Sequence, residues 1–333
     1  MKMNSDKQQR AGSRLAGLMW VAALFLTVSA KAQTEGTDMT EVTTTELSDL
    51  YKSKSFSQVS VHDPSVVWDS ATQYFYIYGS HYYGAKSKDL RNWTGITNYY
   101  NTTYDKAFKS NPEHTVKRCL PGKTAVEEVT LGSYDAGAFC ATYAGITVGD
   151  RAPVTAAQWL SGDQWAPDIV YNPTMKKWCY YVSLNGDYWA SVVVLMTSSS
   201  PTGPFTYQGP VVFGGFDGQS RSGVSVNYKD TDLEVVLGTQ SSLPSRYRTN
   251  AWGSFYPNCI DPCVFFDEEG ELWMAYGSWS GGVYLLKLDK ETGLRDYTHT
   301  YTGTGTSPDA SALSDAYFGK KIAGGYYVSG EAS

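Results

Sequence analysis

Carboxylates stand at the head of a phrase that this chain repeats. The stretch VHDPSVVWDSATQYFYIYGS (61–80) places Asp63 before a proline, then a short apolar run, a polar turn and an aromatic run ending in Gly-Ser. DPCVFFDEEGELWMAYGS begins the same way at Asp261, and a looser copy, APDIVYNPTMKKWCYYVS, begins at Ala166 and carries Asp168. One Asp-Pro pair alone is an ordinary turn opener, but three phrases in register mark a repeated supersecondary unit. If the units bring Asp63, Asp168 and Asp261 to one place, the chemistry that suits them is acid–base cleavage of a glycosidic bond. That reaction needs two carboxyl groups on opposite sides of a sugar. A further carboxylate crowding the acid raises its pKa and keeps it protonated.

The elements that must position these groups are strands. Cys263–Phe266 is a short apolar run, Asp267–Gly270 a turn, and Leu272–Tyr276 an aromatic returning strand. Gly281-Gly282 turns again, Val283–Leu288 reads as a third strand, and Asp289–Leu294 holds another turn. The first copy runs on through Gly84–Ser87 to Leu90–Trp93, and the second through Ser191–Thr197 to Pro204–Tyr207. Phe216–Ser245 supplies further strand material around Asp232–Thr239, and Ser307–Tyr327 leads toward a fourth unit. Small antiparallel sheets repeated around a channel predict an all-β fold, a β-propeller whose innermost strands aim the opening carboxylates at the axis. A β-sandwich with similar hairpins is the alternative.

The 333 residues include 26 Tyr, 10 Trp and 12 Phe, which suit strands and offer flat platforms for sugar rings. A net charge of −6 with 27 Lys plus Arg argues against a nucleic-acid partner. Lys2, Lys7, Arg10 and Arg14 precede the apolar run Leu15–Val28, followed by Ala30-Lys31-Ala32. This predicts a secretory signal peptide over 1–32, cut before Gln33, and hence a secreted or periplasmic protein. The run is shorter than the roughly 20 residues of a spanning helix, so no membrane partner is expected after cleavage. Residues 33–57 read as a polar lead-in, with a short helix over Thr44–Lys52, and 58–333 as the catalytic domain.

Asn101–Gly162 separates the first two copies without clear periodicity, and reads as a long loop over one face of the disc. It holds Cys119 and Cys140, the one disulfide candidate among five cysteines. An odd count leaves at least one thiol, and Cys259 and Cys263 are too far apart to bridge in extended chain. No Cys/His spacing suggests zinc.

HDPS (His62–Ser65), WAPD (Trp165–Asp168), IDP (Ile260–Pro262) with the following YGSWSGGVYLLKLD, and Gly330-Glu331 together resemble glycoside hydrolase family 43 over about residues 58–333. The third copy and AGGYYVSGEAS are similar to the endo-α-1,5-arabinanases of that family. The resemblance implies a five-bladed β-propeller, of which this chain would hold about three blades and the start of a fourth, so that it reads as a fragment. It implies an inverting hydrolase acting on arabinan of plant cell walls. An exo-acting α-L-arabinofuranosidase or β-xylosidase is the runner-up, and a propeller that binds glycan without cutting it a second alternative. By the same resemblance Asp63 is the general base, Glu331 the general acid, and Asp261 the residue that orients the acid and raises its pKa. Acid and base would stand roughly 6.5–9.5 Å apart. Asp168, Trp165, His62 and Trp279 are implied as substrate-binding residues. No cofactor is required, a calcium in the channel is conceivable though its ligands cannot be placed, and a monomer is expected.

Overall fold

The computed structural model describes residues 58–100, 108, 111–143, 164–185, 191–216, 228–248, 256–277, 281–303 and 312–324. The signal peptide, the lead-in with its Thr44–Lys52 helix, Trp279 and Glu331 lie outside these residues. Ser57–Ser333 is one compact unit, and its described part is all-β with two short helices. Each repeated phrase opens an antiparallel sheet. The first sheet runs β1 (Ser65–Asp69), β2 (Tyr74–Gly79), β3 (Tyr83–Ser87) and β4 (Trp93–Gly95), each paired with the next. The second runs β7 (Gln164–Asn172), β8 (Lys177–Asn185), β9 (Ser191–Ser198) and β10 (Thr206–Gly214) in the same way.

The third sheet contains β11 (Cys263–Phe266), β12 (Leu272–Gly277) and β13 (Val283–Leu288). Its fourth strand is β15 (Gly319–Ala323), paired with β13 and joined to the short β14 (Ser314–Asp315). Residues 314–323 therefore complete the third sheet and do not start a fourth unit. Gly282 makes this closure possible. At φ +98° it sits where an added Cβ would meet the Ala323 carbonyl oxygen at 2.3 Å.

The order of packing follows from which faces are apolar. β9 reads SVVVLMTS and is buried along its whole length, as befits a strand covered on both faces. β13 reads VYLLKL and alternates between buried and half-buried, as a strand covered on one face does. The second sheet thus lies between the other two. Tyr78 of the first meets Tyr180 and Phe205 edge-on, at 5.5 and 6.2 Å between ring centroids. On the other side Tyr181 of the second sheet donates its hydroxyl to the Gly293 carbonyl at 2.7 Å.

Three expectations are corrected outside the sheets. The stretch between the first two copies has structure of its own: a hairpin of β5 (His114–Cys119) and β6 (Val126–Leu131), then helix α1 (Ala136–Tyr143). No disulfide joins Cys119 to Cys140. They lie on different elements, and the Cys119 thiol points at the Lys123 carbonyl (3.1 Å) while that of Cys140 points at the Leu184 carbonyl of β8 (3.4 Å). The stretch around Asp232–Thr239 is helical, not strand: α2 spans Leu233–Leu237 and buries Leu233, Val235 and Val236. Its β-branched run suggests a strand locally, but tertiary burial and the anchoring of Asp232 override that preference.

Asp232 belongs to a buried polar network that ties this segment to the third sheet. Its carboxylate accepts from Tyr297 Oη at 3.0 Å and from Tyr317 Oη. Asp315 pairs with Arg246 and accepts from Tyr247 Oη and from the amides of Tyr317 and Phe318 at 2.8 to 3.1 Å. Burial pushes both carboxyl pKa values up, against the pull of Arg295 on Asp232 and of Arg246 on Asp315.

Candidate active site at the heads of the first strands

Each sheet carries, just before or near the start of its first strand, a residue in the left-handed region immediately before a proline: Asp63 (φ +48°), Ala166 (φ +40°) and Asp261 (φ +53°). Such backbone is uncommon for a residue with a side chain, and it recurs at the same place in all three units. The register matters for the carboxylates. Asp63 and Asp261 are equivalent positions, whereas the second sheet has Ala166 there. Asp168 comes two residues later, level with Ser65 and Cys263.

Asp168 accordingly behaves differently from the other two. Its Oδ1 accepts from Ser65 Oγ at 2.6 Å and its Oδ2 from the Val264 amide at 2.6 Å. One carboxylate thus ties the first strand of the second sheet to those of its two neighbours, β1 and β11. Burial raises its pKa, opposed by the Ser65 hydroxyl and the Val264 and Ile169 amides. Asp168 thus lies where the first strands of the three sheets meet, with each of its oxygens accepting a hydrogen bond from the protein. Cys263 next to it has its thiol pKa raised, by burial and then by the Asp168 charge, which favours the neutral thiol.

Asp63 faces solvent, with 41% of its side chain exposed, and its Oδ2 meets His62 Nδ1 at 3.1 Å. The same oxygen accepts from Ser80 Oγ at 2.7 Å. Ser80 is 3% exposed, and its oxygen in turn accepts the Ala166 amide at 2.8 Å. His81 is held by its own amide on the Gln164 carbonyl at 2.8 Å. Its ring stacks on that of His62 with centroids 6.0 Å apart, so the imidazole that contacts Asp63 is backed by a second exposed one.

The contacts continue to Asp261. Trp165 is half-buried and lies opposite Ser183 across the β7–β8 ladder. The Ser183 hydroxyl accepts the Asp261 amide at 3.0 Å. His62, Asp63, Trp165 and Asp261 therefore share one rim of the three sheets. Ser80, Ser183 and His81 were not singled out from the sequence. The signal for the serines was present, because the three repeated phrases close in the sequence on Tyr78-Gly79-Ser80, Tyr181-Val182-Ser183 and Tyr276-Gly277-Ser278. His81 left no comparable signal. Among the described residues no group of three or more His, Cys, Asp and Glu could hold a metal ion.

No family model matches the chain. Its homologues include endo-α-1,5-L-arabinanases. It is 26% identical over 239 residues to extracellular endo-α-(1→5)-L-arabinanase 2 of Bacillus subtilis, covering 72% of this chain and 37% of that protein. It is 27% identical over 245 residues to the extracellular endo-α-(1→5)-L-arabinanase of Thermotoga petrophila, covering 72% and 38%. An extracellular exo-α-(1→5)-L-arabinofuranosidase of Cellvibrio japonicus is 25% identical over 235 residues, covering 70% and 45%. The chain thus spans less than half the length of these curated relatives. Similar solved structures include the endo-1,5-α-L-arabinanase of Thermotoga petrophila, at 25% identity and a TM-score of 0.46 over 82% of this chain and 44% of that one. A glycoside hydrolase family 43 protein from Bacillus licheniformis is another, at 26% identity and a TM-score of 0.41 over 77% and 42%.

Proposed function

We propose that this chain carries the substrate-cleaving rim of a secreted glycoside hydrolase that cuts α-1,5-linked L-arabinan with inversion, its three sheets being blades of a β-propeller. The observation that carries this reading is the equivalence of Asp63 and Asp261. Both stand in strained left-handed backbone at the heads of first strands, on one rim, linked through Ser80, the Trp165–Ser183 pair and Ser183. Strain held at equivalent points is the kind of feature that positions functional groups. The homology to extracellular endo-arabinanases supports the same substrate class.

In this reaction Asp63, exposed and hydrogen-bonded on one oxygen, takes a proton from the water that attacks the anomeric carbon. Glu331 delivers a proton to the leaving oxygen, and Asp261 orients that acid and holds its pKa up. Trp165, His62 and Trp279 contact the glycan, and Asp168 holds the first strands together. Loss of a positioned general base costs about 10²- to 10⁴-fold. Asp63→Asn in the complete protein should therefore reduce the release of reducing ends from linear arabinan by that order, while the melting temperature stays near that of the unaltered protein. Undiminished release would overturn the assignment. A second reading, exo-cleavage from chain ends, draws on the Cellvibrio japonicus relative. Chromatography of early products separates the two: a ladder of oligosaccharides marks internal cleavage, a single small product marks exo-cleavage.

A further inference from the structure

The serine contacts form a repeated device. Ser80 directly follows the second strand of the first sheet, and its hydroxyl accepts the amide of Ala166, the left-handed residue near the start of β7. Near the end of β8, Ser183 accepts the amide of Asp261, the left-handed residue that opens the third. Both serines are buried, Ser80 at 3% and Ser183 at 0% exposure. Ala166 and Asp261 thus each hang on a hydroxyl from the preceding sheet. Ser80 does one thing more: it donates to Asp63 Oδ2 at 2.7 Å, so a single oxygen links the candidate base to the joint between two sheets.

We infer that Ser80 and Ser183 are positioning residues for the two candidate carboxylates, Ser80 by holding the Asp63 side chain and Ser183 by holding the Asp261 backbone. This rests on the hydrolase reading above for its catalytic consequence, but not for its geometry. A hydroxyl has one proton to give and lone pairs to receive. Ser80 gives its proton to Asp63 and receives the Ala166 N–H, so the orientation of the carboxylate depends on the register of the next sheet. Without the hydroxyl, Asp63 keeps His62 as a partner on that oxygen but loses its buried anchor and can rotate about χ1.

The test uses the complete protein with Ser80→Ala, Ser80→Thr and Ser183→Ala. Three-bond NMR couplings report the Asp63 χ1 rotamer, amide exchange reports the Ala166 and Asp261 N–H groups, and arabinan hydrolysis reports kcat and KM separately. Misplacement of a catalytic group by about an ångström costs up to about 100-fold. Ser80→Ala should lower kcat by roughly 10- to 100-fold on that basis, with little change in KM. It should also average the Asp63 rotamers and speed Ala166 exchange. Ser80→Thr, which keeps the hydroxyl, should restore the single rotamer and most of kcat. Ser183→Ala should speed Asp261 exchange and lower kcat. An unchanged Asp63 rotamer, or unchanged kcat in folded Ser80→Ala, would overturn the role of Ser80. Unchanged Asp261 exchange would overturn that of Ser183. If the unaltered protein cleaves no arabinan, the hydrolase reading falls, while the rotamer and exchange measurements still decide the joint.

Discussion

A residue with a side chain pays about 1–2 kcal/mol to enter the left-handed region, and glycine does not. Asp tolerates that region better than most residues because its short side chain can bond locally. Ala166 has no such compensation at φ +40°, so its strain is answered by the rest of the fold, including the Ser80 bond to its amide. Ala166→Gly should therefore stabilise the protein by about 1 kcal/mol after the entropic cost of glycine in the unfolded chain. Equilibrium urea unfolding would show this as a higher midpoint with an unchanged slope. At Asp63 and Asp261 the same relief would remove the carboxylate.

Among elements, the first strands of the three sheets depend on Asp168. Its two oxygens accept from Ser65 on one side and from the Val264 amide on the other. Asp168→Ala leaves a partly buried amide and hydroxyl without that acceptor, at about 1–3 kcal/mol for such a group. The expected outcome is a fall of that order in unfolding free energy, with faster amide exchange at Val264. Asp168→Asn retains one carbonyl oxygen and should lose less. The Gly282 turn is a second such point. Gly282→Ala should weaken the pairing of β15 with β13, because its Cβ would overlap the Ala323 carbonyl. Exchange of β15 amides would read that out.

For the molecule as a whole, the segment over 228–248 is fastened by ionic groups buried away from water. Arg246→Met would leave the Asp315 carboxylate buried without its counter-charge, and breaking a buried pair on one side costs about 3–5 kcal/mol. A drop of that size in thermal or urea unfolding, larger than for an exposed Arg→Met control, is the expected result. Acid sensitivity has a different source. Glu271 bridges Lys287 at 2.8 Å and Lys290 at 2.6 Å on the surface. Hydrogen bonds from Lys287 and Lys290 hold its pKa down, from the ordinary 4.5 to about 2. A carboxyl depressed on folding contributes stability that is present above the unfolded value and lost as pH falls through the folded one. The contribution of Glu271 should thus fade between pH 4.5 and about 2. Glu271→Gln should flatten the decline of melting temperature over that window, and added salt should shrink the difference, since these groups are partly exposed.

The sequence by itself determined the all-β class, the first three strands of the third unit to within a residue, the approximate positions of the strands in the first two, and the two equivalent aspartates. These are local properties: apolar runs, turn residues and an Asp-Pro phrase repeat within each unit, and each can be read without knowing its neighbours. Tertiary structure alone decided what crosses between units. That Asp168 is a joint, that Ser80 and Ser183 hold the next sheet's head, and that 314–323 joins the third sheet all depend on contacts between residues 35 to 103 positions apart. So does the helical state of Leu233–Leu237, where burial and the bonds of Asp232 outweigh a β-branched run. A hydroxyl carries no pattern that names its partner, and the two-residue offset of Asp168, though legible against the prolines, does not say which strands its oxygens join. Only the packing of sheet against sheet supplies those partners.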